Sequence, residues 1–398
     1  MIQIYTAFTR EIDDPEEAVR EIIEQIKPAE NMLANTIGIV QFHHEFAETG
    51  VYQAIAGALP FEIVGCATSF ISTNDQYGEF SLAVTMLTAD DVNFSVWTLE
   101  NADAKSREQI FDEITQISAG MCVRETPKMV MPFLSQLTHF SGDDLITMVN
   151  ALRNPFPLFG TIAFSEENKK GNNIVVQGGK ISCDMYAFAA FYGDLEPTFR
   201  VTTSFDYDEN LGDTAEISDA EGPVLKAVNG IPTAEYLRKK GLLNEASISG
   251  NWSVWVVPAI MTRLDGSKVA RAFLGVVPGT NDIYSAGALE MGAKISFAYM
   301  NREKTLSSAE RLLEQIDAAN ENNIIAFSCA ARSWSLDSQY LAEINKIAEC
   351  ADKYRQKNNV PLNYCVSYSA GEICPLLNDN GELVNTLHNY TLISCSFS

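Results

Sequence analysis

Apolar positions along the chain recur at two spacings, one helical and one extended. Between Asp14 and Ile26 the apolar residues Ala18, Val19, Ile22, Ile23 and Ile26 fall three and four apart, the stripe of one helix face. Asp14 can cap that helix, Pro15 suits its first turn, and Glu16 and Glu17 sit at the positive end of its dipole. The run IGIVQF (37–42) then predicts a strand, VYQAIAGAL (51–59) a helix and FEIVGCA (61–67) a second strand. FSLAVTML (80–87) and VNFSVWTL (92–99) are strands separated by so few residues that they predict an antiparallel pair.

The same order follows a second time. MVMPFL starts at Met129 as IGIVQF starts at Ile37, a helical GDDLITMVNAL (142–152) comes next, and PLFGTIAFS (157–165) aligns with EIVGCATS (62–69). The strands CDMYAFAAFYG (183–193) and TFRVTTSF (198–205) complete the copy. Such repetition predicts a duplicated module. The acidic stretch Asp206–Gly222 is a candidate boundary or a solvated loop. Beyond it, VLKAVNGIPTAEYLRKKGLL (224–243) reads as strand, Asn-Gly turn and helix begun at Pro232, and the segment from Trp252 to Gly279 as a hairpin about Asp265-Gly266. Two long helices follow. Ser307 and Glu310 form a capping-box pattern for the first, and Tyr340, Leu341, Ile344, Ile347, Ala348 and Ala351 form the stripe of the second. The expected class is α+β: duplicated strand-helix-strand units forming layered mixed β-sheets with outer helices.

Composition narrows the partners. The 398 residues carry 28 Lys and Arg against 52 Asp and Glu, a formal net charge of −24 that repels nucleic acid and anionic membranes. No basic, apolar leader opens the chain and no apolar run is long enough to span a bilayer, so a cytoplasmic location is expected. The eight cysteines are scattered without a Cys-x-x-Cys pair, which points to reduced core residues rather than disulfides or zinc. Phosphate-loop, His-Glu-x-x-His and Gly-x-Ser-x-Gly patterns are absent.

Candidate chemistry gathers at the C-terminal end. IIAFSCAAR (324–332), VSYSAGEICPLL (366–377) and HNYTLISCSF (388–397) are apolar runs bounded by polar residues, which predicts a guanidinium, a carboxylate, a thiol and an imidazole at one sheet rim. Arg332 is the first choice for gripping a ligand carboxylate bidentately, and Glu372, after Gly371, for an ammonium group; together they suit a zwitterion. Alternatively Arg332 and Glu372 pair with each other. Arg302 is a second basic candidate or a surface residue. Cys329 and Cys66 are ligand-contacting thiols or buried strand-end residues. Thr68, Ser69 and Tyr368 supply hydroxyls. His388 is a haem ligand, a general base for Cys329 or Cys374, or a residue bonded to a loop carbonyl. His43 and His44 follow the first repeat's strand, and His139 lies near the matching place in the second.

Six segments in order, VGCATS (64–69), AVNGIPTAEYL (227–237), SFAYMNRE (296–303), AFSCAAR (326–332), YSAGEICP (368–375) and HNYT (388–391), resemble the FIST family of intracellular signal-transduction proteins. The chain departs from the family's Gly-Gly-Ala segment, which reads LFGTIAFS here. The resemblance implies an N-terminal module over 1–220, a C-terminal module over 221–398, and a sensor rather than an enzyme. It implies a small ligand such as an amino acid or related metabolite, and a separate signalling partner such as a histidine kinase in a two-component system. Some stand-alone relatives resemble haem-binding nitric oxide sensors, so haem with His388 is the alternative cofactor expectation. A thiol hydrolase using Cys329 or Cys374 with His388 is the third reading.

Overall fold

The computed structural model describes residues 2–74, 76–137, 140–165, 170–205, 214–243, 257–277, 279–298, 301–336, 339–378 and 380–397. His139, most of the WSVWVV segment, Tyr299 and Met300, and Asp206–Asp213 of the acidic stretch lie outside them.

Helix Pro15–Ile26 forms where expected, because the Asp14 carboxylate accepts the Glu16 and Glu17 amides, each at 3.1 Å. It lays Ala18, Ile22 and Ile26 onto a six-stranded sheet. That sheet runs Gln3–Thr9, Leu82–Ala89, Asn35–Phe42, Glu62–Ala67, Val175–Gln177 and Lys180–Ser182. A second six-stranded sheet runs Val92–Leu99, Tyr186–Gly193, Met129–Leu134, Gly160–Ile162, Glu372–Leu377 and Leu383–His388. A third runs Pro197–Thr203, Thr391–Phe397, Asn323–Cys329, Asn363–Ser369, Ile71–Thr73 and Tyr77–Gly78. In all three the third and fourth strands are parallel and every other pairing is antiparallel.

The fold is therefore a triplicate rather than a duplicate. Each unit supplies four strands to its own sheet and sends a hairpin to a neighbour. The first unit's strands Ile71–Thr73 and Tyr77–Gly78 extend the third sheet, the second's Val175–Gln177 and Lys180–Ser182 the first, and the third's Glu372–Leu377 and Leu383–His388 the second. Registers agree with the alignment read from sequence: Gln41 faces Cys66 as Phe133 faces Thr161 and Phe327 faces Ser367, which sets Gly65 beside Val40 and Gly160 beside Pro132. Both glycines are needed, since a Cβ at Gly65 would meet the Val40 carbonyl oxygen at 1.7 Å and one at Gly160 the Pro132 oxygen at 2.1 Å.

The third copy escapes the sequence pattern because a fourth, seven-stranded sheet interrupts it between Pro197–Thr203 and helix Arg302–Ala318. This insert contains the acidic segment's strand Ala215–Glu221 and the hairpin Val257–Thr262 with Lys268–Val276, turned at Gly266 (φ 85°) as expected. It has its own core, with Ile217, Leu225, Met261 and Phe273 buried.

The three sheets turn inner faces toward one shared core of Ile39, Val64, Met131, Phe159, Phe191, Ile325, Phe327 and Ile393. Helices cover each outer face separately. Three expectations need correction. Leu82–Ala89 and Val92–Leu99 are consecutive but belong to different sheets, as do Tyr186–Gly193 and Pro197–Thr203. These short connections pass the chain from unit to unit instead of closing hairpins. The first strand, Gln3–Thr9, was not anticipated. The helix assigned to a Ser307 cap starts well over a turn earlier, at Arg302, because the Asn301 side chain accepts the Lys304 amide at 3.1 Å.

Candidate functional site

Each pair of central parallel strands ends at the same pole of the molecule. There the three units close a ring of backbone bonds. Phe164 N–H donates to Ala67, Ala370 N–H to Ile162, and Tyr368 N–H to Phe70, at 3.0, 3.1 and 3.2 Å. The residues leaving the first central strand of each unit correspond by register: His43, Ser135 and Cys329. Ser135 and Cys329 open onto a cavity of about 220 Å³; His43 does not, and its ring packs at a tilt against those of His44 and Phe80, with centroids 4.4 Å apart in each case.

The cavity lies between the second and third units and the insert. The second unit contributes Leu134, Gln136, Phe140, Phe164 and Tyr186; the third contributes Cys329, Ala331, Trp334, Ser369 and Asn389. Ala272, Leu274, Tyr284 and Ala286 of the insert close the remaining side. Arg271 fixes the insert there. Its buried guanidinium donates to Leu387 O at 3.1 Å and to Asp143 Oδ1 at 3.3 Å, while Asp143 Oδ2 accepts the Ala288 amide at 2.7 Å.

The expected rim is split between two sheets. Asn323–Cys329, Asn363–Ser369 and Thr391–Phe397 share the third sheet, while Glu372–Leu377 and Leu383–His388 belong to the second. Arg332 is fully buried and its partner is Glu343, not Glu372. Its Nε donates to Glu343 Oε1 at 2.9 Å, and Nη2 reaches the same carboxylate. Its other donors go to Ser204 Oγ (2.9 Å), Ser308 Oγ (2.8 Å), Thr305 O (3.1 Å) and Tyr390 O (3.4 Å). Glu343 also accepts from Ser328 Oγ at 2.8 Å and from the Tyr368 hydroxyl at 2.9 Å. Sequence reasoning missed Glu343, although a carboxylate beside Ile344 on the apolar stripe of helix Ala342–Asn358 was a usable signal.

Glu372 is buried under its own network, accepting from Ser369 and, at 2.8 Å, from Thr391. Burial outweighs those bonds and pushes its carboxyl up to about 8, so it holds its proton at neutral pH. Burial, then the Glu372 charge, pushes the Cys329 thiol well up. Cys66 sits in the shared core with its thiol likewise raised by burial. Thr68 Oγ1 donates to Tyr368 O at 2.6 Å, tying the first unit to the third. Arg302 is exposed at the start of its helix. Of the candidates chosen from sequence, Cys329 alone lines the cavity; Ser369, Asn389, Ser135 and Trp334 were not chosen.

His388 is buried with Nε2 3.0 Å from Cys374 O, and burial lowers its pKa to about 4. It does not line the cavity, whose described wall carries no histidine. With one cysteine whose thiol is disfavoured from ionising and about 220 Å³ of space, the described residues do not fit haem there. Cys374 points into the shared core with its thiol raised by burial, and it meets His388 through its carbonyl only. Among the described residues no group of His, Cys, Asp and Glu could hold a metal ion, and no helix is long and apolar enough to cross a membrane.

Residues 36–231 match the FIST N domain and residues 234–375 the FIST C domain. A search of curated proteins finds no match. A structure of PurLQS from Thermotoga maritima aligns with the whole chain and 72% of its own at 8% identity, but its TM-score of 0.20 carries no argument.

Proposed function

This chain belongs to the FIST family, whose domains are associated with signal-transduction sensing, and on that premise we propose that it senses a small ligand held in the cavity beside Ser135 and Cys329. One observation carries the reading: two units and the insert, each with a hydrophobic cluster of its own, each supply a wall of that cavity. A ligand touching all three favours the arrangement in which they are closed and shifts the population toward it. The insert is the moving part in this reading: it has its own core, and it meets the body through Arg271, the Ala272 amide on Asn389, and an apolar seam of Ile260, Ala270 and Ala272 against Cys329, Ala331 and Tyr390. Its change of position is what a separate signalling protein, such as a histidine kinase, reads.

Ala286 on the insert wall provides the test. Small molecules that raise the unfolding temperature of the natural protein lose that effect in Ala286→Phe, which fills the cavity. Hits that stabilise the variant equally well bind elsewhere and remove this cavity from the proposal.

A further inference from the structure

The walls of the cavity constrain what enters it. Five rings, Phe140, Phe164, Tyr186, Tyr284 and Trp334, stand beside aliphatic Leu134, Leu274 and Leu387. Among the described lining residues there is no Asp, Glu, Lys, Arg or His. The charged groups of the third unit that act on the lining Cys329 are committed elsewhere: Arg332 to Glu343, and Glu372 to Ser369 and Thr391 while it holds a proton.

Four polar side chains that line the cavity donate into the protein. Ser135 Oγ donates to Met185 O at 2.9 Å, and the Tyr186 hydroxyl to Phe140 O at 3.0 Å. Asn389 Nδ2 donates to His388 O at 2.9 Å, and its Oδ1 accepts the Ala272 amide at 3.3 Å. Gln136 Nε2 donates to Ala163 O at 3.2 Å, which leaves its carboxamide oxygen as an acceptor. A carboxylate or ammonium entering this space would lose its water and meet no opposite charge among the described lining residues, a desolvation cost that one or two neutral contacts do not offset. Flat apolar rings meet the opposite situation, since aromatic walls suit them and little polar surface is stranded. The space of about 220 Å³ exceeds the ~150 Å³ that accommodates benzene in a dry apolar cavity.

We infer that this cavity takes an uncharged apolar molecule of one or two rings, carrying at most a hydrogen-bond donor for Gln136, and that it does not take a zwitterion. This inference rests on the sensory reading above and names its ligand class.

Indole and L-tryptophan separate the possibilities, because they share a ring system and differ in charge. Thermal unfolding of the full chain is expected to show a concentration-dependent rise with indole, on the order of a few °C, and none with tryptophan or other amino acids. The rise should vanish in Ala286→Phe or, if that variant does not fold, in Ala370→Leu on the opposite wall. A shift with an amino acid and none with indole overturns the ligand class and leaves the sensory reading standing. An indole shift that persists in a folded cavity-filled variant overturns the site. No shift with indole or any amino acid overturns both the ligand class and the cavity as a ligand site.

Discussion

Arg332 and Glu343 form an ion pair with neither side chain exposed to solvent, joining the turn after the third unit's central strand to the helix over its sheet. Every donor of the guanidinium has a protein acceptor, and the carboxylate also accepts from Ser328 and Tyr368. Removing one partner leaves an uncompensated buried charge. Arg332→Ala and Glu343→Ala are each expected to cost about 3–5 kcal/mol in urea unfolding, and the double change to Met and Leu markedly less than their sum. Additive losses in the double variant would mean that the two groups are not coupled.

Glu372 and His388 set opposite pH slopes. The raised carboxyl of Glu372 gives a contribution that is full below its ordinary 4.5 and is lost as pH rises toward about 8. The lowered imidazole of His388 gives one that is full above its ordinary 6.5 and is lost as pH falls toward about 4. The two slopes offset between those ordinary values. Above pH ~6.5 Glu372 acts alone, so unfolding free energy should fall with rising pH at up to about 1.4 kcal/mol per unit. Denaturant titrations at pH 6.5 and 8 measure this, and Glu372→Gln should flatten the slope.

Gly65 and Gly160 are corresponding residues with corresponding constraints. Gly65→Ala and Gly160→Ala drive a methyl into a strand carbonyl and should abolish folded protein on size exclusion. Gly57, exposed in helix Val51–Ala58 with nothing within 4 Å of a built Cβ, is the control. Gly57→Ala should stabilise by up to ~1 kcal/mol.

Asp143 holds the insert through Arg271 and the Ala288 amide. Asp143→Ala removes both contacts, and hydrogen bonds to charged groups are worth about 1.5–3 kcal/mol. Amide exchange over 268–276 should accelerate by roughly tenfold or more, with the shared core unchanged. Uniform acceleration everywhere would mean that the insert does not open separately.

The first two units were legible because their strands and glycines recur in order, with Val64-Gly65 answering Phe159-Gly160. The third was hidden by the insert, which parts Pro197–Thr203 from Asn323–Cys329. Sheet membership was illegible for a different reason: nothing local in the turn after Ala89 says whether Val92–Leu99 folds back or leaves for the next sheet. At the site, strand-end polarity singled out Cys329, which lines the cavity. It could not show that Arg332 is satisfied from helix Ala342–Asn358, because that pairing depends on how the helix lies over the sheet. Cavity walls from the insert, such as Tyr284 and Ala286, carry no chemical signature in sequence.

The exchange of hairpins around the three sheets means that no unit is complete within its own stretch of chain. A polypeptide encoding one unit alone would have an orphaned sheet edge at one end and a homeless hairpin at the other. Three such chains could satisfy one another by the same cyclic donation, so the molecule is laid out as a covalently joined trimer. Cutting a single link between units therefore need not release a domain, because every segment is still clasped from both sides.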